Sequence, residues 1–259
     1  HEPLILEATK YLPSLDGMTW ETMPADAKRL LKRARIGVNI ILTENSIESQ
    51  YELFQRLNTG GVSLESQEIR NCLIIMLDES YYNRINELKE YANFKNCLTL
   101  TDDKYKVEYH MELIVRYLIA KRNKVNYENY NISSEKLADF LDHEIYLLIS
   151  DADFNIDEEI KLFKKTFDFL AEKMGKDTFK KFNSDKHCFE GAFSNASYEA
   201  ILVGVAENLE KLCEKDIRKM IEEMYSQDKF SKFSGRGIKA LSRFQGLNEF
   251  SREYFANAD

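Results

Sequence analysis

The sequence predicts a mainly α-helical protein. Apolar residues recur at helical spacing through most of the chain, Gly and Pro are scarce at 10 and 3 residues, and a single clear segment has the length and branched side chains of a strand. Hydrophobic residues make up 44% and charged residues 31% of the 259 residues, a composition that excludes a disordered chain. The chain is long enough to bury a substantial core.

Charge and motif content exclude several classes of protein. A net charge of −8 has the wrong sign for holding nucleic acid by bulk charge. The sequence shows neither an apolar run of about 18 residues nor an export signal at its start, which predicts a cytoplasmic protein without membrane association. The cysteines form no C-x-x-C pair, so neither a disulfide framework nor a metal site is expected. Because the first residue is His1 rather than Met, we expect a piece of a longer protein.

The first 46 residues predict one helix and one strand. Residues 25–34 form a short basic helix after Pro24, a position where proline is tolerated. Residues 36–42, IGVNIIL, have the branched content of a strand. Residues 3–6 are a candidate partner for it, and because an isolated pair of strands is marginal in water, we expect the missing strands upstream of His1.

Helical periodicity governs the chain after Ser46. The predicted helices cover residues 69–77, 107–118, 156–174, 198–212, 217–224 and 238–255. In the first of them, the predicted buried face consists of Ile69, Cys72, Leu73, Met76 and Leu77. The polar, asparagine-rich segment 121–133 predicts a loop between two parts of the protein. We place a domain at residues 1–122 and a helical domain at residues 123–259.

Residues 54–71, FQRLNTGGVSLESQEIRN, carry more information than the rest of the chain. Their start continues a helix, the turn at residues 58–61 breaks it, and a second helix begins after Ser63 as its N-cap. Paired glycines adopt positive φ and let a ligand approach the backbone, and the amides of such a turn suit an anion. The segment therefore predicts a helix, a glycine turn and a second helix around an anion site.

Polar side chains on both sides of this turn are the candidate ligands of the anion. Gln67, Arg70 and Asn71 share one face of the second helix, opposite the apolar stripe, and Arg56 lies just before the turn. A structural alternative stays open. In it, Gly60 is a C-cap, Asn58 caps the turn, and Arg70 pairs with Glu65 or Glu68.

The same segment resembles the second signature of the family that forms the N-terminal part of GmrSD-type modification-dependent restriction enzymes, a domain-of-unknown-function family related to the ParB and sulfiredoxin fold. The shared pattern is F-x-R-L-N-x-G-G-x-x-L-x-x-Q-E-x-R-N. The matching residues are Phe54, Arg56, Leu57, Asn58, Gly60, Gly61, Leu64, Gln67, Glu68, Arg70 and Asn71. The resemblance covers at least residues 1–120 and continues more weakly to the C-terminus.

The resemblance implies the C-terminal part of a ParB-like α+β domain, followed by a helical bundle. It also implies a module that hydrolyses an NTP with Mg²⁺ in defence against foreign DNA, with an HNH-type nuclease domain or subunit as partner. The residues implied to line the nucleotide or phosphate pocket are Arg56, Asn58, Gly60, Gly61, Gln67, Arg70 and Asn71. The family's first signature, D-G-Q-Q-R, is absent, since Asp16-Gly17 is followed by Met18. The chain alone is therefore not expected to be a complete hydrolase.

Two basic stretches are candidates for contact with nucleic acid. They comprise Lys28, Arg29, Lys32 and Arg33 near the start, and Lys232, Arg236, Lys239 and Arg243 among phenylalanines near the end. Phosphates need such charges, and single strands stack on aromatic rings. Solvated helix faces have the same pattern, and the negative net charge favours that interpretation for each stretch.

Two hypotheses about function follow. In the first, the chain is a component or fragment of a bacterial NTP-dependent DNA-restriction or phage-defence protein and contributes part of a nucleotide pocket. In the second, it is a non-catalytic helical module that binds a protein partner or DNA. Both are compatible with a homo-oligomer. No catalytic residue is assigned, and Glu112 with Arg116 at i, i+4 predicts an ion pair rather than paired catalytic carboxylates.

Overall fold

A computed structural model describes residues 3–7, 11–35, 37–38, 46–57 and 64–257. Its chain divides into two units, His1–Ser46 and Ile47–Asp259. The described residues are mainly helical, which confirms the predicted class. None of the helices in these ranges is both long and apolar enough to cross a membrane.

The first unit contains a short 3-10 turn at Pro13–Leu15 and the helix α1 (Ala25–Arg33). The helix follows Pro24 and confirms the prediction for residues 25–34. The chain doubles back before it, since the Leu6 amide donates to the Met18 carbonyl over 2.8 Å. Of the predicted strand, Gly37 and Val38 lie in neither a helix nor a strand, and its other residues lie outside the described ranges.

The second unit is built almost entirely of helices. They are α2 (Ile47–Leu57), α3 (Ser66–Leu77), α4 (Glu79–Leu88), α5 (Ala92–Cys97), α6 (Asp102–Lys106), α7 (Tyr109–Arg122), α8 (Leu137–Ile149), α9 (Ile156–Lys173), α10 (Asn195–Glu207), α11 (Leu209–Leu212), α12 (Ile217–Met224), α13 (Asp228–Ser234) and α14 (Ala240–Ala256). Between α9 and α10, β1 (Lys181–Asn183) and β2 (Cys188–Glu190) form an antiparallel ribbon in which Phe182 lies opposite Phe189.

Side-chain caps set the starts of several helices. The Asn155 side chain accepts hydrogen bonds from the first amides of α9, and Asp216 does the same for α12. Gly175, with a φ of +54°, follows the end of α9 as predicted. The predicted helix over residues 198–212 is in fact two helices, α10 and α11. Asn208 separates them because its side-chain amide donates to the Gly204 carbonyl over 2.9 Å.

Two helices form the centre of the core. In α7 every residue from His110 to Ala120 is buried except Glu112, and in α10 every residue from Ser197 to Ala206 is buried. A helix that is buried on all sides lies in the middle of its domain. α7 packs on α8 and α10, and α10 packs closely on α14. The domain boundary predicted after Arg122 falls inside this second unit.

Candidate functional site

The segment that resembles the family signature spans the end of α2 and the start of α3. Asn58, Gly60, Gly61 and Ser63 lie outside the described residues. The N-cap of α3 is Glu65, so the predicted N-cap, Ser63, is wrong. The Glu65 amide donates to the Glu68 carboxylate over 2.8 Å, and the Glu65 side chain accepts from the Glu68 amide. This reciprocal pair is a capping box, which holds the first turn of α3 in place.

The polar face of α3 points into the protein. Gln67, Arg70 and Asn71 are buried, and Ile74 continues the same face one turn later. The sequence predicts a different face as the buried one, with Ile69, Cys72, Leu73, Met76 and Leu77. Leu73 is buried and Ile69 and Leu77 pack against the core, whereas Cys72 and Met76 are only half-buried, so the prediction is correct for part of that face. These polar side chains can be buried because they are hydrogen-bonded to one another and, through Arg70, to acceptors on α8, which removes the penalty for burying them.

Arg70 is the centre of this arrangement and is fully buried. Its Nε donates to Asp142 Oδ1 over 2.7 Å and its Nη2 to the Ala138 carbonyl over 3.2 Å, both on α8. Its Nη1 donates to Gln67 Oε1 and lies 3.9 Å from Glu112 Oε2 on α7. Arg70 therefore ties α3 to α7 and α8. The structural alternative predicted Glu65 or Glu68 as the partner of Arg70, and that prediction is wrong.

The remaining bonds of this face fix it further. Gln67 Nε2 donates to Asn71 Oδ1 over 2.8 Å, so the two amides support each other. The Tyr51 hydroxyl on α2 donates to Asp142 Oδ2 over 2.7 Å. Burial raises the pKa of Asp142, and the neighbouring Arg70 counteracts part of that rise. The network thus reaches α2 and holds both sides of the signature segment.

The charges continue across the core toward the C-terminal helix. Arg116 donates from Nε to Glu112 Oε1 over 3.1 Å, which confirms the predicted i, i+4 pair, and from Nη1 to Glu199 Oε1 over 2.9 Å. Arg243 donates from Nε to Glu199 Oε2 over 2.7 Å. Arg243 is thus bound inward and does not join an exposed basic patch, contrary to the prediction.

A cavity of about 480 Å³ lies beside this network, where α2, α3 and α8 meet. It is lined by Tyr51, Glu52, Leu73, Asp139, Asp142, His143, Tyr146 and Leu147. Three of these side chains are carboxylic acids. Such a lining repels a bare phosphate and attracts a cation or a metal-bound phosphate.

The predicted pocket residues are thus partly brought together. Gln67, Arg70 and Asn71 share one buried cluster. Arg56 lies in the last turn of α2 with an exposed side chain, 3.5 Å from Glu52. The acidic partners Asp142 and Glu199 were missed by sequence reasoning, because nothing local to either residue signals an arginine more than 40 residues away.

The basic helix α1 exposes most of its charges. Arg29 and Arg33 are exposed, and Arg29 pairs with Asp26 one turn earlier. Lys28 Nζ donates to the Glu21 carbonyl over 2.8 Å, and Lys32 Nζ lies 5.8 Å from the centre of the Trp20 ring. Three of these four cations, Lys28, Arg29 and Lys32, are thus engaged by their own unit.

The second basic stretch keeps three exposed cations, Lys232, Arg236 and Lys239, around the loop between α13 and α14. Lys232 Nζ lies 5.2 Å from the centre of the Phe233 ring. None of the three forms an ion pair with another residue in the described ranges. This loop is the part of the predicted nucleic-acid surface that retains unpaired positive charge.

Neither a search for metal sites nor comparison with known proteins assigns a function to these residues. Within the described ranges, no three His, Cys, Asp or Glu side chains come together as a metal site. Comparison with protein-family models, curated proteins and solved structures found no match to this chain.

Proposed function

We propose that this chain is a component of a bacterial NTP-dependent DNA-restriction or phage-defence protein and works in the cytoplasm. In this proposal, residues 1–122 are the C-terminal part of a ParB-like domain, and the turn between α2 and α3 contributes to a nucleotide pocket. The observation that carries the proposal is that signature residues hydrogen-bond one another at the start of α3. Gln67, Glu68 and Arg70 all make bonds that fix the start of α3.

Helices that are fixed on both sides of residues 58–63 suit a phosphate site between them. Arg70 joins α3 to α7 and α8, and Tyr51 joins α2 to the same carboxylate, Asp142. Backbone amides bind a phosphate best when they are held in place before it arrives. We therefore assign Gln67, Arg70 and Asn71 to positioning the turn. Contact with the phosphate is left to the turn itself and to Arg56.

The neighbouring cavity fits a nucleotide that carries Mg²⁺. Magnesium is usually held by one or two carboxylates together with the phosphates of the nucleotide. Glu52 and Asp139 line the cavity and supply such carboxylates, whereas Asp142 is already bound to Arg70. No magnesium site built from protein groups alone is needed for this arrangement.

The proposal is tested by nucleotide binding to the native-length gene product. We expect fluorescent ATP or GTP analogues to bind in the presence of Mg²⁺. Arg56→Ala should weaken binding at least tenfold without lowering the melting temperature, because Arg56 is exposed. Arg84→Ala, which removes an arginine from the surface of α4 paired with Asp157, is the matched control. If the native protein binds neither nucleotide, or if both variants bind like the wild type, the pocket assignment fails.

The alternative, a non-catalytic helical module that binds DNA, is favoured by one observation. Lys232, Arg236 and Lys239 form an exposed cluster without acidic partners among the described residues. Reversing all three charges to Glu should abolish binding to labelled DNA, and wild-type binding should weaken steeply with salt. Charge reversal at Lys211, Lys215 and Lys219 is the matched control. If both triple variants lose DNA binding equally, the effect comes from the change in net charge and not from this cluster. An HNH-type nuclease partner would supply the cleavage in either proposal.

A further inference from the structure

A groove separates the loop at residues 123–133 from the helix α14. Its inner part is a cavity of about 140 Å³, lined by Ile119, Ala120, Asn123, Val125, Tyr127, Gln245, Asn248, Glu249 and Arg252. Its outer part is a shallower cavity of about 590 Å³, lined by Tyr127, Glu128, Tyr130, Asn131, Ile132, Ser133 and Gln245. Tyr127 and Gln245 line both parts. The groove is separate from the signature segment and plays no role in the proposal above.

The walls of the groove are held in place by packing. The Tyr127 ring stacks on Phe140 of α8, with 6.0 Å between the ring centres and 13° between the planes. Tyr130 meets the same ring edge-on at 5.0 Å. The opposite wall, α14, is anchored where Ser251 Oγ accepts from the Gly204 amide over 2.9 Å. The loop and α14 therefore present a formed site rather than a gap between mobile segments.

The inner cavity retains hydrogen-bonding groups that the protein does not satisfy. Asn248 is 5% exposed, and its Nδ2 donates to the Phe244 carbonyl over 2.7 Å. Its Oδ1 accepts from no residue in the described ranges, and the same holds for Gln245 Oε1. Neither oxygen is among the described side-chain atoms that are buried without a partner, so both are open to the cavity and can accept from water or from a ligand.

The charges at the cavity are balanced. Arg252 donates from Nε to Glu207 over 3.1 Å and from Nη2 to the Ala120 carbonyl, which leaves Nη1 for the cavity. Glu249 accepts from Gln245 Nε2 over 3.1 Å through one of its two oxygens. A lining with a single carboxylate and a single guanidinium, the latter already paired with Glu207, lacks the several cations that hold a phosphate and the several carboxylates that hold a metal ion, which favours a neutral ligand.

These groups match the edge of a nucleobase. Carboxylates and side-chain amides accept from exocyclic amines, and arginine donates to ring nitrogens and carbonyls. Bases that are read by proteins also commonly lie against tyrosine rings, which Tyr127 and Tyr130 supply. A volume of 140 Å³ equals about four or five waters at their share of liquid volume, the size of one heterocyclic base. Three acceptors at the cavity, Asn248 Oδ1, Gln245 Oε1 and the second Glu249 oxygen, accept from no described residue, so a base with an amine fits better than one without.

We infer that this groove binds a nucleobase that carries an exocyclic amine, with Asn248, Gln245 and Glu249 accepting from the amine edge and Tyr127 lining the ring. The site reads the base alone and is independent of the phosphate pocket near α3.

The test is calorimetric titration of the wild-type chain with adenosine, cytidine, guanosine and uridine. At least one of the three amine-bearing nucleosides should bind, and uridine should bind at least tenfold more weakly. Because nucleosides carry no phosphate, failure of NTP binding leaves this result untouched. If none of the four binds, the cavity holds only ordered water and the inference is overturned. Uridine binding as tightly as the others overturns the assignment of the amine.

Two variants locate the site. Gln245→Leu removes one free acceptor from a half-buried position and should lower the affinity at least tenfold. Gln227→Leu makes the same change in a different cavity, beside α12 and α13, and should leave the affinity unchanged. Asn248→Asp, which keeps the shape of the side chain, is a second check if Gln245→Leu lowers the melting temperature. Equal effects of the two glutamine variants would place the nucleoside elsewhere.

Discussion

Two helices of this protein turn asparagine, glutamine and arginine side chains inward, and they use them differently. On α3, Arg70 ends its bonds on Asp142, Ala138 and Gln67, so the cluster is satisfied by the protein itself. On α14, Asn248 and Gln245 each keep an acceptor without a donor among the described residues. Buried polar groups that are satisfied indicate a structural role, whereas unused hydrogen-bonding capacity beside a cavity indicates a ligand.

The two arginines of the signature segment have different roles. An arginine after a glycine turn suggests a phosphate ligand, yet Arg70 has no exposed surface. Its guanidinium holds two helices against α3, which makes it a positioning residue. Arg56, on the other side of the turn, is the arginine that remains near the surface.

The largest expected effect comes from breaking the satisfied cluster. Arg70→Ala leaves the half-buried Asp142 without the fully buried guanidinium that neutralises it, and removing one partner of a buried pair costs up to about 3 to 5 kcal/mol. We expect that loss in the free energy of unfolding measured with urea. Arg56→Ala serves as control and should change it by less than about 0.5 kcal/mol. Similar values for the two variants would refute the structural role of Arg70.

The next effect concerns the wall of the α14 groove. A Cβ added at Gly204 would lie 2.1 Å from the Ser251 carbonyl oxygen, so Gly204→Ala pushes α14 away from α10. Overpacking of this kind costs about 1 to 3 kcal/mol, more than the helix propensity that alanine regains. Gly235→Ala is the control, since its Cβ would lie 3.5 Å from the nearest atom. Thermal unfolding should separate the two variants, and equal melting temperatures would contradict the close packing.

The helices could largely be predicted from the sequence, because one-sided apolar stripes identify them. The stripe at residues 156–174 became Ile156–Lys173, and that at residues 217–224 became Ile217–Met224. The ribbon of β1 and β2 was missed, since three residues are too few to show alternation. The polar part of the buried face of α3 was also missed, because Arg70 and Asp142 are 72 positions apart and only the fold brings them together.

The candidate sites, like the fold, could be predicted only in part from the sequence. Spacing at i, i+3 and i+4 correctly grouped Gln67, Arg70 and Asn71 on one face. Spacing does not show whether such a face meets a ligand or a carboxylate of the protein. The groove at α14 had no signal in the sequence, because its walls come from a polar loop and from a helix more than 100 residues later.

Substituting the two glutamines, Gln67 and Gln245, tests the difference between the polar faces of α3 and α14. Gln67→Leu removes the acceptor of Arg70 Nη1 and the donor to Asn71, and leaving such groups unpaired costs about 1 to 3 kcal/mol. Gln245→Leu removes an acceptor that has no partner among the described residues and one solvent-exposed bond to Glu249, and should change the free energy of unfolding by about 0.5 kcal/mol or less. Urea unfolding of both variants measures the difference. If Gln245→Leu is as destabilising as Gln67→Leu, the α14 groove is a structural cluster like that on α3.

The smallest effect uses two aspartates that pair with arginines in different surroundings. Hydrogen bonds from Arg122 and Lys124 lower the pKa of Asp151 to about 2, whereas burial raises the pKa of Asp142 above its usual 3.8 despite Arg70. Ionised Asp151 therefore stabilises the fold above pH 3.8, and this stability is lost as the pH falls toward 2. For Asp142 the sign is opposite, because the folded state holds its proton more tightly and stability decreases as the pH rises above 3.8.

Melting temperatures between pH 2 and 6 test both signs. The advantage of the wild type over Asp151→Asn should shrink as the pH falls through this window, since a protonated Asp151 no longer differs in charge from asparagine. The difference between the wild type and Asp142→Asn should not shrink in that way, because burial rather than the arginine dominates the titration of Asp142. Parallel curves for the two variants would mean that the pKa values of Asp142 and Asp151 are shifted in the same direction, which would contradict the opposite signs expected for the two groups.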